Sequence, residues 1–493
     1  MRNLRLWQSV VFVGVVMVCL LVVRGAAGQN TADMILYGES DNNGATDIYS
    51  VTVDGGQKNK IGTVREFGSD AGWSPDGRFI YMVDAADDER RTLTVVDVET
   101  NVHRTMPERL AGSDCSTPLW WSPDGQRLVY LAQAVPEQQL IIFDLTTGES
   151  QTIPDSYALY EWAAWSHDGR YVAFYNSEQP TPRLVIWDAQ KQATTKLEMA
   201  AWSDMARWSP ADDRIFFTAA EPFGNMVYDV TDKTQWQLPK GTFHEWSPDG
   251  RLLTIYGRNE KEQVVLIVFD VEANTPLTFE DAISQLPIQA DVEWSASGRF
   301  LAVTAIDEAN DHERVVYALD TSDGRSRRLV SDLYVDPLVW SPAGNWLVFA
   351  SNPDSGENGG ANNSLWLFDF DEGRELRFAI KGPTAYYEPH LKWSADGQYL
   401  TVRTNKGLLL FNEQTEDLTP LAPTLRNAPA LYWSPRGAQL ALSAYVSGSH
   451  DIYIFSPEDD MTSNLSNTPD VYETFLGWRG SQQREYLNYC GEG

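Results

Sequence analysis

The chain has 493 residues, with 69 Asp or Glu against 38 Lys or Arg, a formal charge of −31 at neutral pH. Phosphate recognition depends on clustered Lys and Arg, so this balance argues against a nucleic-acid partner. The acidic excess is spread through loops such as residues 84–90 and 456–462, which suits the solubility and self-repulsion of an exported protein.

Residues 1–28 read as a signal peptide or N-terminal anchor, separate from the fold. Arg2 and Arg5 precede an apolar stretch from Val10 to Val23, and Ala26, Ala27 and Gly28 suit a signal peptidase. That stretch is shorter than the roughly 20 residues a bilayer span needs, so cleavage and export, to the periplasm or outside the cell, are expected. Contact with a membrane follows only if the segment is retained. Its loss removes three arginines and no acid, leaving 35 basic against 69 acidic residues.

From residue 31 to about 480 one unit recurs. A tryptophan stands before a short turn at Trp73, Trp121, Trp165, Trp208, Trp246, Trp294, Trp340, Trp393, Trp433 and Trp478, at intervals of 38 to 53 residues. That is the period of a four-stranded module stacked on copies of itself. After each turn comes a strand-like run (RFIYMV from Arg78, RYVAFY from Arg170), then a polar loop. A second apolar run follows, usually ending in aspartate, as at Asp97, Asp144, Asp188, Asp229, Asp270, Asp320 and Asp369. Short runs rich in Val, Ile, Tyr and Phe between Gly, Asp and Pro clusters predict strands, and nothing after the leader carries helical periodicity.

The turn has a physical reading. In Ser74-Pro75-Asp76-Gly77 proline presets φ, serine and aspartate bond nearby backbone, and glycine takes the conformation that leads out. Trp165 is followed by Ser-His-Asp-Gly, and the turn after Trp208 lacks glycine, a scatter that a geometric role tolerates. Each tryptophan hides roughly 150–250 Å², on the order of 4–6 kcal/mol of gross stabilisation at about 25 cal/mol per Å². A single four-stranded sheet cannot cover both its faces, whereas radially arranged sheets that each present a ring to the next can. The ten tryptophans are therefore structural anchors.

These units resemble the WSPDG-type propeller repeats of the TolB family, related to the WD-repeat class, over nearly the whole chain after the leader. The resemblance implies an all-β propeller, with ten four-stranded blades on the repeat count; two smaller propellers are the alternative. Similar repeats serve as periplasmic binding scaffolds, as gating domains of serine peptidases and in a few lyases, so the fold does not choose an activity.

The ends of the array are out of phase. Residues 33–62 hold two strand runs with no tryptophan turn before them, while the run ending at Trp478 lacks the strands that should follow. The last strand is expected to complete the first blade, leaving residues 481–493 as a tail. Cys115 and Cys490 are the two cysteines after the leader; in an oxidising compartment they form a possible disulfide pinning that tail.

Chemistry is sparse. There is no G-x-S-x-G elbow, Walker loop, H-E-x-x-H or paired Cys-x-x-Cys. Lyases of similar fold gather histidines for metal, but the six here are scattered, so no catalytic residue, metal or cofactor is assigned. The polar residues on the run before an anchor, Trp162, Arg207, His244, Glu245, Asp291, Glu293, His390 and Lys392, form a candidate ligand-binding set if those runs line the channel. The expected function is a non-enzymatic, monomeric scaffold binding a protein, peptide or glycan of the cell envelope. One rival is a polysaccharide lyase or glycan hydrolase using Glu245, Asp291 and Glu293; another is a purely structural surface protein.

Overall fold

The computed structural model describes residues 33–40, 45–65, 70–85, 91–111, 118–133, 138–176, 183–200, 206–220, 223–279, 288–307, 313–332, 334–352, 363–380, 391–404, 406–421, 430–446, 449–468 and 471–481. Residues 1–32, Cys115 and Cys490 fall outside them. Among the described residues there are 39 strands and no helix, and so no helix long and apolar enough to cross a membrane. Residues 33–493 make one compact unit.

Each anchor tryptophan ends the first strand of an antiparallel blade. Blade 1 opens with Tyr472–Trp478, which pairs antiparallel with Met34–Ser40; Ala45–Thr52 and Lys58–Arg65 follow. The first strands of blades 2 to 10 are Asp70–Trp73, Leu119–Trp121, the end of Ser150–Trp165, Arg207–Trp208, Thr242–Trp246, Ile288–Trp294, Tyr334–Trp340, Leu391–Trp393 and Ala430–Trp433. The strand Ser150–Trp165 is continuous, serving as the last strand of blade 3 and then the first of blade 4.

Because side chains alternate across a strand, both faces of each blade are apolar. In blade 3, Leu128 and Tyr130 pack toward blade 2, while Val129 and Leu131, alternating with them, pack toward blade 4. Ten such clusters each join two consecutive blades, in unbroken order from 1–2 through 9–10 and back to 10–1. Two separate rings would need a cluster joining non-consecutive blades to close each of them, and none occurs among the described residues. The molecule is a single ten-bladed ring.

The seam is made as the sequence leads one to expect. Ile35 lies opposite Trp478 and Ser40 opposite Tyr472, and Arg479 donates its backbone N–H to the Met34 carbonyl (2.8 Å) and its Nε to the Gly77 carbonyl of blade 2 (2.8 Å). The C-terminal strand thus completes blade 1 and locks it against blade 2.

The turns behave as their residues dictate. Ser74 is fully buried; its hydroxyl meets Asp76 Oδ1 and accepts the Phe79 N–H (2.9 Å), and Gly77 closes the reversal with its N–H on the Ser74 carbonyl (2.8 Å). Glycine is required at Gly125, where φ is +69° and a Cβ would stand 2.6 Å from the Asp76 carboxylate of the preceding turn.

Candidate binding wall on the inner strands

The first strands of successive blades touch one another at several junctions, while the fourth strands, such as Val102–Thr105 and Met461–Asn464, are largely exposed. The first strand is therefore the innermost, and the candidate residues, apart from His390, lie on it.

The residue before each anchor occupies an equivalent place in every blade. Its carbonyl accepts the indole N–H of the next anchor: Trp120 from Trp165 (3.0 Å), Ala164 from Trp208 (3.0 Å), Arg207 from Trp246 (3.2 Å), Glu293 from Trp340 (2.9 Å), Lys392 from Trp433 (3.0 Å) and Tyr432 from Trp478 (2.8 Å). Trp73, Trp121, Trp294 and Trp393 have buried indole N–H groups with no acceptor. The strap was not legible from the sequence, because its acceptor is backbone and has no side-chain signature.

Because side chains alternate across a strand, the side chain before each anchor lies on the face opposite the tryptophan that follows it. In blades 5, 6 and 7 that side chain is Arg207, Glu245 and Glu293, all exposed; the corresponding Trp120, Ala164, Val339, Lys392 and Tyr432 are half-buried. Three consecutive blades thus present charged groups at one register of the inner wall. Asp291 shares the Ile288–Trp294 strand, but its side chain, like the whole of His390, lies outside the described residues.

Inner strands here are irregular. Pairing shifts between Phe243 and Glu245 leave His244 in a bulge, and similar shifts occur in blades 4, 7 and 8; bulges re-aim side chains and recur next to binding sites. His244 Nδ1 lies 3.1 Å from the hydroxyl of Thr254, a buried residue that also bonds both backbone groups of Glu245. The His244 ring meets Tyr256 edge-on at 5.0 Å. Trp162 is drawn partly into the interface of blades 4 and 5, against Tyr175 at 5.3 Å, so its ring is shared between packing and the wall. Lys392, in blade 9, holds its ammonium 5.7 Å from the Tyr432 ring centroid.

The side chains of this wall reach solvent, yet the surrounding strands withdraw water from their charged ends. Burial lowers the His244 imidazole below its ordinary value and raises the Glu245 carboxyl, in each case with no other contribution. Burial also lowers Arg207, against a smaller opposing effect from Tyr175, but its guanidinium remains cationic at neutral pH. His244 is thereby held as a neutral donor and acceptor at physiological pH.

No family model and no curated protein matches this chain. Solved structures that are similar to it include a eukaryotic initiation factor (14% identity, 90% of this chain and 98% of that one, TM-score 0.48). Others are an oligogalacturonate lyase in complex with manganese (14%, 79% and 98%, TM-score 0.35) and TolB from Acinetobacter baumannii (15%, 71% and 80%, TM-score 0.24). At these levels the likenesses say nothing of activity.

Proposed function

We propose that this protein is an exported, non-enzymatic propeller scaffold whose inner strands in blades 4 to 7 bind a peptide or glycan segment of a cell-envelope partner. The observation that carries this reading is the register of Arg207, Glu245 and Glu293 at one position on three successive blades. It is supported by the neutral hydrogen-bonding His244 and by the half-buried rings of Trp162 and Tyr256 beside them. Polar groups alternating with aromatic faces suit a polymer that offers hydroxyls or amides along with apolar edges. Export rests on the leader composition.

The test is a screen of the purified chain on peptide and glycan arrays, followed by titration of the best binder against the triple variant Arg207→Ala, Glu245→Gln, Glu293→Gln. Saturable binding that falls by more than about tenfold in the folded variant, the equivalent of roughly 1.4 kcal/mol, is the expected result. Binding unchanged in the variant overturns the site. Turnover of the bound glycan, abolished by Glu245→Gln alone, overturns the non-enzymatic reading.

A further inference from the structure

The turns of blades 4 and 5 each carry a residue that no other turn has at its place, a histidine and an aspartate, and the fold brings those two residues together. At the second position of the turn, where Pro75, Pro123, Pro210, Pro248, Pro342 and Pro435 stand in six blades and Ala296 and Ala395 in two more, blade 4 has His167. At the position filled by Arg78, Arg170, Arg251 and Arg299, blade 5 has Asp213. One ligand atom each from His167, Asp168 and Asp213 lie within 4.8 Å of one another. The cluster crosses the junction between the two blades at the turn end, on the strand-connecting rim, apart from the inner-wall positions.

A second observation at the same place concerns Asp213 alone. One carboxylate oxygen, Oδ2, accepts the Thr231 hydroxyl at 2.7 Å, but Oδ1 is shut away from solvent with no hydrogen-bond partner. Arg170, a nearby guanidinium, directs Nη2 to Asp188 at 3.1 Å and does not supply that partner. A buried carboxylate oxygen without a donor is costly, and a cation at the cluster removes that cost. Asp168 is meanwhile oriented by the Ser166 hydroxyl (2.7 Å) and the Arg170 N–H (2.9 Å) on its Oδ1.

We infer that His167, Asp168 and Asp213 form a divalent-metal site that clamps the turn of blade 4 to the turn of blade 5. One imidazole with two carboxylates is a mixed nitrogen and oxygen donor set, which suits Zn²⁺ and disfavours Ca²⁺ and Mg²⁺, whose sites are built from oxygen. His167 and Asp168 are exposed, so coordination positions beyond the three protein ligands go to water or to an anionic group from outside. The clamp also ties down the shortest of the described inner strands, Arg207–Trp208, which has two residues.

The experiment is calorimetric titration of the chelator-treated chain with ZnCl₂ and, separately, CaCl₂, alongside two variants. His167→Pro installs the residue that six other turns carry and so preserves the fold while removing the nitrogen ligand; Asp213→Asn keeps shape and removes charge. One Zn²⁺ per chain is expected, weakened in both variants by at least the roughly tenfold that losing even an outer-shell partner brings, with a Zn²⁺-dependent rise in melting temperature that disappears in both. Absent Zn²⁺ binding, equal binding in the variants, or Ca²⁺ binding as tight as Zn²⁺ overturns the site.

Discussion

At the residue scale the anchor tryptophans do two things at once. Trp246 is buried between blades 5 and 6 and donates its indole N–H to the Arg207 carbonyl. Trp246→Ala should cost about 3–5 kcal/mol as a large-to-small change, and Trp246→Phe should keep the packing but forfeit about 1 kcal/mol from the bond. The shift of the denaturation midpoint checks both: an alanine loss below about 1 kcal/mol counts against the wedge, and a phenylalanine variant as stable as wild type counts against the strap. Burial of these rings could be read from their period, but the bond could not. Trp165 and Trp208 are only half-buried, and Arg127 stacks over the Trp165 ring at 4.9 Å, so a cation covers what the blade does not.

At the element scale the recurring aspartate explains itself only in three dimensions. Asp97, closing the third strand of blade 2, accepts the N–H groups of Glu99 and Thr100 and pairs with Arg78 at 2.9 Å. Burial pushes its carboxyl upward, but these hydrogen bonds outweigh that, and the net shift is downward; its stabilisation is present above the ordinary carboxylate range and lost as acid titrates it. Glu473 on the closing strand behaves in the opposite way. It is fully buried opposite Glu39, with the Thr468 hydroxyl on Oε1 (2.6 Å) and no partner for Oε2. Burial first, then the neighbouring Asp451 and Glu39 charges, raise its carboxyl against the bonds from Ser466 and Thr468. Its contribution is therefore full below the ordinary range and is lost as pH rises through the raised value. Glu473→Gln should stabilise the seam at pH near 8 by about 1–3 kcal/mol, the cost of an unpartnered buried acceptor, with the gain shrinking toward pH about 4. Hydrogen exchange of Met34–Ser40 at both pH values measures it, and a gain independent of pH would refute the assignment.

At the scale of the whole molecule, ten interfaces in circular order make stability a property of closure. Every blade is held from both sides, and inside blade 1 the ring is closed by strand pairing of Tyr472–Trp478 with Met34–Ser40, with no chain connection between the two. Removing residues 471–493 should leave Met34–Ser40 as a bare sheet edge and expose Tyr37 and the other apolar residues that Trp478 now covers. Light scattering is expected to show association of the truncated chain, with a lower and broader melting transition. A monomer that melts like the intact chain would mean the ring does not depend on its final strand.

The sequence by itself determined the blade count, the strand order within a blade, the turn chemistry and the closure of the first blade by the last strand, because each rests on local spacing, backbone preference and the alternation of apolar residues. Only the tertiary structure decided that the ten blades form one ring rather than two, that the indoles bond the preceding blade, and that His167 meets Asp213. These depend on which faces and turns come together across blade boundaries, between residues some 40 positions apart, and such contacts arise from packing that no local pattern encodes.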